Sequence, residues 1–262
     1  MPELPEVEHA AARLRQAALG RVVASAAVSH PSLARNLPPA ACARLTGRQI
    51  VAIERRAKIQ LVTFEDGQLL EVHFRMTGDW NLGDQNDQAP AYERVRIVCT
   101  DGTRISLVDS RAFAVIRLHA PGAFVLPPLG PEPLTDALSP EGLREALRTR
   151  RGPIKPVLLD QRIVAGIGNI YASEALWEAR IHPAARANRL SLSRLTRLVI
   201  AIRVVLLRAQ GNRYHAPTLG AGDPEFQVYD RAGQPCGRCG RTVRRIAQAG
   251  RGGYYCARCQ KG

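Results

Sequence analysis

Four cysteines crowded into the last 27 residues constrain this 262-residue chain more than any other feature. Cys236-x2-Cys239, sixteen intervening residues and Cys256-x2-Cys259 have the spacing of a structural zinc site. Each CxxC turn presents two thiolates, and two such turns close a tetrahedron around Zn2+. Four sulfur ligands leave no open coordination position, so one zinc is expected to fold the module without doing chemistry. Two disulfides are the alternative, but they belong to oxidising compartments. The N-terminus MPELPEVE carries three acids and no basic stretch, and no run of about 18 apolar residues occurs. The expectation is therefore a cytoplasmic chain with no membrane segment. Cys42 and Cys99 stand alone and read as small buried hydrophobes. Between the CxxC pairs, Arg241, Arg244, Arg245 and Arg251 fall on what should be a two-stranded ribbon. They suit phosphate contact or a solvated basic face, and spacing does not choose between these.

The formal net charge of +14 favours a polyanionic partner, because each phosphate neutralised releases condensed counterions. Among 37 Lys and Arg residues only Lys58, Lys155 and Lys261 are lysine. Arginine serves where charge or bidentate contact suffices, so a rare lysine marks a place that needs an ammonium.

The spacing predicts a helix over 4–19, with Val7, Ala11, Leu14 and Ala18 on one face and Gly20 as its stop. Short β-branched runs follow at 21–29, 49–54, 59–64, 68–74, 94–100, 103–108 and 113–118. Asp66-Gly67 and Asp101-Gly102 suggest hairpins, and so many short strands argue for a β-sandwich or barrel. A proline-rich stretch over 121–140 marks a boundary, after which helices are expected at 140–149, 155–162, 169–179 and 193–209. The last carries a stripe of Leu195, Leu198, Val199, Ile202, Val205 and Leu206 behind Ser193 as N-cap. Ala165-Gly166-Ile167-Gly168-Asn169 joins the second and third of these helices. Such a turn is a plain corner or a phosphate site at a helix start.

Pro2 follows Met1, which is expected to be removed before so small a residue, leaving a secondary amine at the N-terminus. Such an amine attacks a sugar aldehyde carbon to form an iminium, with Glu3 and Glu6 nearby for proton transfer. Taken by itself, Pro-Glu is equally an ordinary helix start.

The strings MPELPEVE, RRAK at 55–58, HFRMTG at 73–78, DSRAF at 109–113, LGPEPL at 129–134 and GIGNIYASEALW at 166–177 precede the CxxC pairs in order. Together they resemble the bacterial formamidopyrimidine-DNA glycosylase / endonuclease VIII family over essentially the whole chain. The resemblance implies an α+β protein of three parts. These are a β-sandwich catalytic domain with an N-terminal helix over 1–125, a helix-two-turn-helix domain over 126–227, and a four-cysteine zinc finger over 228–262. It implies a bifunctional DNA glycosylase and AP lyase acting on damaged double-stranded DNA, monomeric and associated with the bacterial nucleoid. Its substrate is a damaged base flipped from the duplex.

By that resemblance Pro2 is the nucleophile at C1′, Glu3 the proton donor that opens the sugar, and Glu6 an organiser of the pocket. Lys58 sits on a phosphate and acts as acid in β-elimination. Asn169 and Arg251 grip phosphates, and Arg251 also serves δ-elimination. Met76, Arg111 and Phe113 fill the gap left by the flipped base, with Arg111 facing the orphaned partner. His73, Tyr92, Arg150 and Lys155 complete the implied DNA-binding set. Read without the resemblance, Met76 and Phe113 are core residues and His73 a satisfied strand histidine.

Several positions depart from the family pattern. Ser110, Ala112 and Ala114 stand where proline, a second arginine and glycine are usual, and Tyr92 replaces a histidine. The stretch 218–228 is shorter than the loop that covers 8-oxoguanine in the formamidopyrimidine branch. MPELPEVE, Arg111 and Phe113 favour that branch; the short stretch leans toward endonuclease VIII and oxidised pyrimidines. A non-catalytic zinc-finger DNA-binding protein explains the charge and zinc but leaves Pro2, Glu3, Glu6 and Lys58 without a role. An RNA-binding zinc ribbon does not account for the strand-rich first half.

Overall fold

Apolar alternation organises the first half of the chain, described here by a computed structural model covering residues 1–209 and 226–262. Leu70 and Val72 turn inward along β4 (Leu69–His73), and Val62 and Phe64 do so along β3 (Ile59–Phe64). With β2 (Ile50–Arg56) and β8 (Val115–His119) these form an antiparallel sheet in the order β2-β3-β4-β8. A second antiparallel sheet has the order β1-β6-β7-β5. Its strands are β1 (Val23–Val28), β5 (Asp79–Asp84), β6 (Glu93–Cys99) and β7 (Thr103–Val108). Both anticipated hairpins form, with Gly67 at φ 80° and Gly102 at φ 87°, angles a side chain would strain.

One core unites the inner faces of both sheets with Val7, Ala10, Leu14 and Ala18 of α1 (Leu4–Ala18). Cys42 and Cys99 lie in that core, as small hydrophobes should. Strand β5 carries no signal in the sequence, because DWNLGD contains no β-branched residue. Its pairing with β7 and the inward burial of Trp80 make it a strand. Two short helices, α2 (Pro31–Ala34) and α3 (Pro39–Leu45), also lack a periodic signal long enough to be read.

The chain divides into two compact units, Met1–Pro2 with Glu6–Leu126, and Glu3–Pro5 with Pro127–Gly262. In the second, α4 (Pro140–Leu147) is capped by Ser139, whose Oγ accepts from Gly142 N at 3.0 Å, an interaction typically worth about 1 kcal/mol. Helix α5 (Ile154–Leu158) stops four residues earlier than expected, because Asp160 turns the chain by accepting from Arg162 N and side chain. Helix α6 (Asn169–Glu178) is almost wholly buried. Helix α7 (Leu192–Ala209) buries the expected stripe, with Val205 partly buried. Its cap is Ser191 rather than Ser193, since Leu195 N closes the first turn on Ser191 O and the Ser193 hydroxyl accepts from Arg197 instead.

The C-terminal ribbon pairs β9 (Arg244–Gln248) with β10 (Arg251–Tyr255), and Arg241 lies before it. A small core of Trp177, Val228, Cys236, Val243 and Cys256 underlies it. Among the described residues no helix is long and apolar enough to cross a membrane.

Candidate active site

In the first unit, Pro2 is buried behind Met1, and its nitrogen belongs to the Met1–Pro2 peptide bond. Glu6 and Lys58 are 8% and 6% exposed. Lys58 occupies the turn between β2 and β3, where Ala57 adopts φ 53°. Ile59 pairs across the sheet with His73, which brings the Lys58 turn beside the end of β4. His73 Nδ1 accepts from Arg75 N at 2.9 Å, so the histidine closes a turn as well as ending a strand. Burial, with the charges of Arg75 and Lys58, holds its imidazole down to about 4. It is therefore neutral at physiological pH.

Met76 and Phe113 are not core. They are 38% and 52% exposed, on the turn after β4 and on the loop between β7 and β8. Arg111 is also exposed, with its guanidinium 4.7 Å from the Phe113 ring centroid. Asp109, at 1% exposure, underlies this group and accepts from Arg111 N, Phe113 N and Ala114 N and from the Thr77 hydroxyl. Tyr92 is 60% exposed at φ 60°, and Arg94 lies 5.7 Å from its ring.

In the second unit, Glu3 is 1% exposed and its carboxylate accepts from Gly168 N, Ile170 N and Tyr171 N at 2.8, 2.9 and 3.2 Å. These are amides around the start of α6, which have no partner within the helix. Both glycines of the 165–169 turn now have a cause. Gly166 takes φ 79°, and a Cβ on Gly168 would lie 2.4 Å from the Glu3 carboxyl. The turn is more than a plain corner.

Asn169 begins α6, and its Oδ1 accepts from Lys155 Nζ, which also donates to Gly252 O at 3.0 Å beside Arg251. Lys155 is 1% exposed, so its ammonium serves these internal acceptors and fastens Asn169 to the ribbon. Burial is the main cause that lowers Lys155 to about 8; Glu3 opposes the shift and Arg251 adds to it. Arg251 itself is exposed. Arg150 pairs with Asp160 at 3.4 Å, a carboxylate it shares with Arg162.

The four cysteine sulfurs lie within 4.8 Å of one another. Zn–S bonds of about 2.3 Å in a tetrahedron put sulfurs roughly 3.8 Å apart, so the cluster fits one structural zinc with little adjustment. Trp177 Nε1 donates to Cys236 Sγ at 3.4 Å. Burial pushes the Cys236 thiol up, but donors from Trp177 and the Arg238 and Cys239 amides outweigh it and bring it down to about 6. Arg238 stacks 3.8 Å from the Trp177 ring centroid.

Sequence reasoning missed four supporting residues. Asp109 and Thr77 act through partners brought together only by the fold. Glu174, wholly enclosed, accepts from Gln227, Val228 and Tyr229 N at 2.8–2.9 Å and anchors the entry to the ribbon. Burial raises the Glu174 carboxyl against those three donors. Trp177 closes the quoted GIGNIYASEALW string but carries no spacing signal linking it to a cysteine.

The chain matches three family descriptions in succession. They are the formamidopyrimidine-DNA glycosylase N-terminal domain over 1–116, the formamidopyrimidine-DNA glycosylase H2TH domain over 129–213, and the zinc finger found in FPG and IleRS over 233–262. It is 41% identical over 281 residues to the formamidopyrimidine-DNA glycosylase of Paracoccus denitrificans, covering 100% of both chains. Identity to that of Chloroflexus aggregans is 40% over 271 residues, covering 99% of this chain and 98% of the other. Among solved structures, MutM in complex with DNA containing carbocyclic 8-oxo-G superposes with a TM-score of 0.91 at 33% identity over 100% of each chain. The Lactococcus lactis Fpg complex with abasic-site DNA gives 0.90 at 32% identity, over 99% of this chain and 100% of the other. Sandwich, H2TH helices and zinc finger thus define a class, the DNA glycosylases with AP lyase activity. Within that class the chain belongs to the formamidopyrimidine-DNA glycosylase family.

Proposed function

We propose that this enzyme removes oxidised bases of the formamidopyrimidine and 8-oxoguanine type from duplex DNA and cuts the strand by β,δ-elimination through Pro2. Once Met1 is removed, the Pro2 amine attacks C1′ of the flipped nucleotide. The C1′–N bond breaks, and the base leaves with its electron pair and takes up the proton that the attacking amine gives up. Glu3 delivers a proton to O4′ as the sugar opens, leaving a C1′ iminium. The iminium acidifies C2′–H. Loss of that proton expels the 3′ phosphate with Lys58 as acid, and a second elimination, assisted by Arg251, expels the 5′ phosphate.

The observation that carries this reading is Glu3. It is buried, fixed by three amides at the start of α6, and adjacent in the chain to the residue that must form the iminium. Glu6 organises the pocket. Arg251 and Asn169 hold phosphates, with Lys155 orienting Asn169 from behind. His73, Tyr92 and Arg150 extend the contact with the backbone; Arg150 must first release Asp160. Zinc, when bound, supplies rigidity to the ribbon that carries Arg251. The working unit is a monomer of three domains (1–125, 126–227 and 228–262) in the bacterial cytoplasm, at the nucleoid.

A second lesion class has support of its own. A Lactococcus lactis Fpg structure at 32% identity holds DNA with an oxidised pyrimidine, and Ser110, Ala112, Ala114 and Tyr92 depart from the usual pattern here. Of the shortened stretch 218–228 that leans the same way, residues 218–225 lie outside the described residues. Borohydride trapping on duplexes of defined lesion tests both points. Protein verified to begin at Pro2 becomes covalently attached to damaged DNA, whereas a chain extended beyond Met1 does not. Equal trapping by the extended chain overturns Pro2 as nucleophile, and binding without trapping by either leaves a non-catalytic DNA-binding protein. Oxidised purines trap faster than oxidised pyrimidines if the first lesion class is right.

A further inference from the structure

We propose that Asp109 is a positioning residue whose buried carboxylate locks the Met76 turn to the Arg111–Phe113 loop, so that the three side chains enter DNA as one rigid wedge. An ionised carboxylate offers about four acceptor positions, and here four donors fill them. Oδ2 takes Phe113 N and Ala114 N, both at 2.7 Å. Oδ1 takes Arg111 N at 3.2 Å and the Thr77 hydroxyl, next to Met76 in the chain. Arg111 N also lies 3.4 Å from the Thr77 hydroxyl, a second and longer tie between the 74–78 turn and the 109–114 loop.

The loop needs such a clamp because its sequence does not stiffen it. Ser110 leaves a backbone angle free that a proline would fix. Ala112 sits at φ 53°, a strained angle for alanine that persists only where the surroundings over-determine it. Those surroundings are Asp109 and three outer ties. Arg94 donates to Asp109 O at 2.7 Å and to Ser110 O at 3.4 Å, and the Ser32 hydroxyl donates to Ala112 O at 3.1 Å. The tips remain exposed above a buried anchor. A wedge ordered before it meets DNA spends no binding energy on ordering itself.

This inference rests on the wedge reading of Met76, Arg111 and Phe113, so the experiment separates the two. Thr77→Val, Asp109→Asn and their double variant are compared by the ratio of paired-base excision to cleavage of a preformed abasic site. Each single variant lowers the ratio about tenfold, the double loses little more than either, and Thr77→Ser restores it. In parallel, amide hydrogen exchange at Phe113 and Ala114 speeds up about tenfold in Asp109→Asn. Independent, additive losses or wild-type exchange overturn Asp109 as the anchor. Should Asp109→Asn not fold, the fall in Thr77→Val and its rescue by serine decide the matter. Met76→Ala and Phe113→Ala serve as controls. If they leave the ratio at the wild-type value, the wedge reading fails, and the exchange data still decide whether Asp109 organises the loop.

Discussion

His73 shows how one side chain takes two loads. Its Nδ1 accepts from Arg75 N, and its ring is kept neutral by burial and by the positive charges of Arg75 and Lys58. The folded imidazole titrates near 4 against 6.5 for a free one, so the unfolded chain takes up a proton that the folded chain refuses. The resulting stability is complete above pH 6.5 and is lost as pH falls toward 4. His73→Asn keeps an acceptor for Arg75 N but cannot titrate. Urea denaturation across that range should show a shallower acid decline in the variant; parallel curves would refute the assignment. Phe113 makes the complementary point. Its exposure removes the core reading that its aromatic character alone allows, because truncating it opens no cavity.

Helix α6 is the element that organises the second unit. Its first turn holds Glu3, its first residue is Asn169, Glu174 receives the three amides at 227–229, and Trp177 reaches Cys236. The buried stretch from Tyr171 to Trp177 leaves little freedom for any of these to move separately. An indole N–H on a zinc thiolate stabilises the negative sulfur and limits its exchange with solvent. Trp177→Phe keeps the packing and removes the donor. Zinc release to a chelator should then quicken several-fold, in keeping with loss of one hydrogen bond of about 1 kcal/mol. An unaltered release rate would reduce Trp177 to a packing residue.

At the scale of the whole molecule, the charge of +14 sets how the enzyme meets DNA. Each phosphate contact contributes roughly −0.9 to the slope of log K against log salt. Arg251→Ala should weaken binding to damaged and undamaged duplex alike and reduce that slope by about one. Removing zinc should do the same and more, since Cys236 and Cys256 belong to the small core beneath the ribbon. Fluorescence anisotropy over a salt series measures both. Full affinity in zinc-free protein would dissociate the ribbon from DNA binding.

Much of this could be read in the chain itself, where the signal is local or repeats at a regular interval. The paired CxxC turns, the Asp-Gly hairpins, the stripe of α7 and the ordered motifs from MPELPEVE to GIGNIYASEALW each fit within a few turns of backbone. Strand β5 was illegible because pairing with β7, and not its own composition, makes it a strand. The same limit hid the supports of the site. Glu3 meets residues 165 and more positions away, Lys155 meets Gly252, and Asp109 meets Thr77. A buried carboxylate or ammonium takes its role from the donors and acceptors that surround it. For these residues only the folded chain brings those partners within hydrogen-bonding distance.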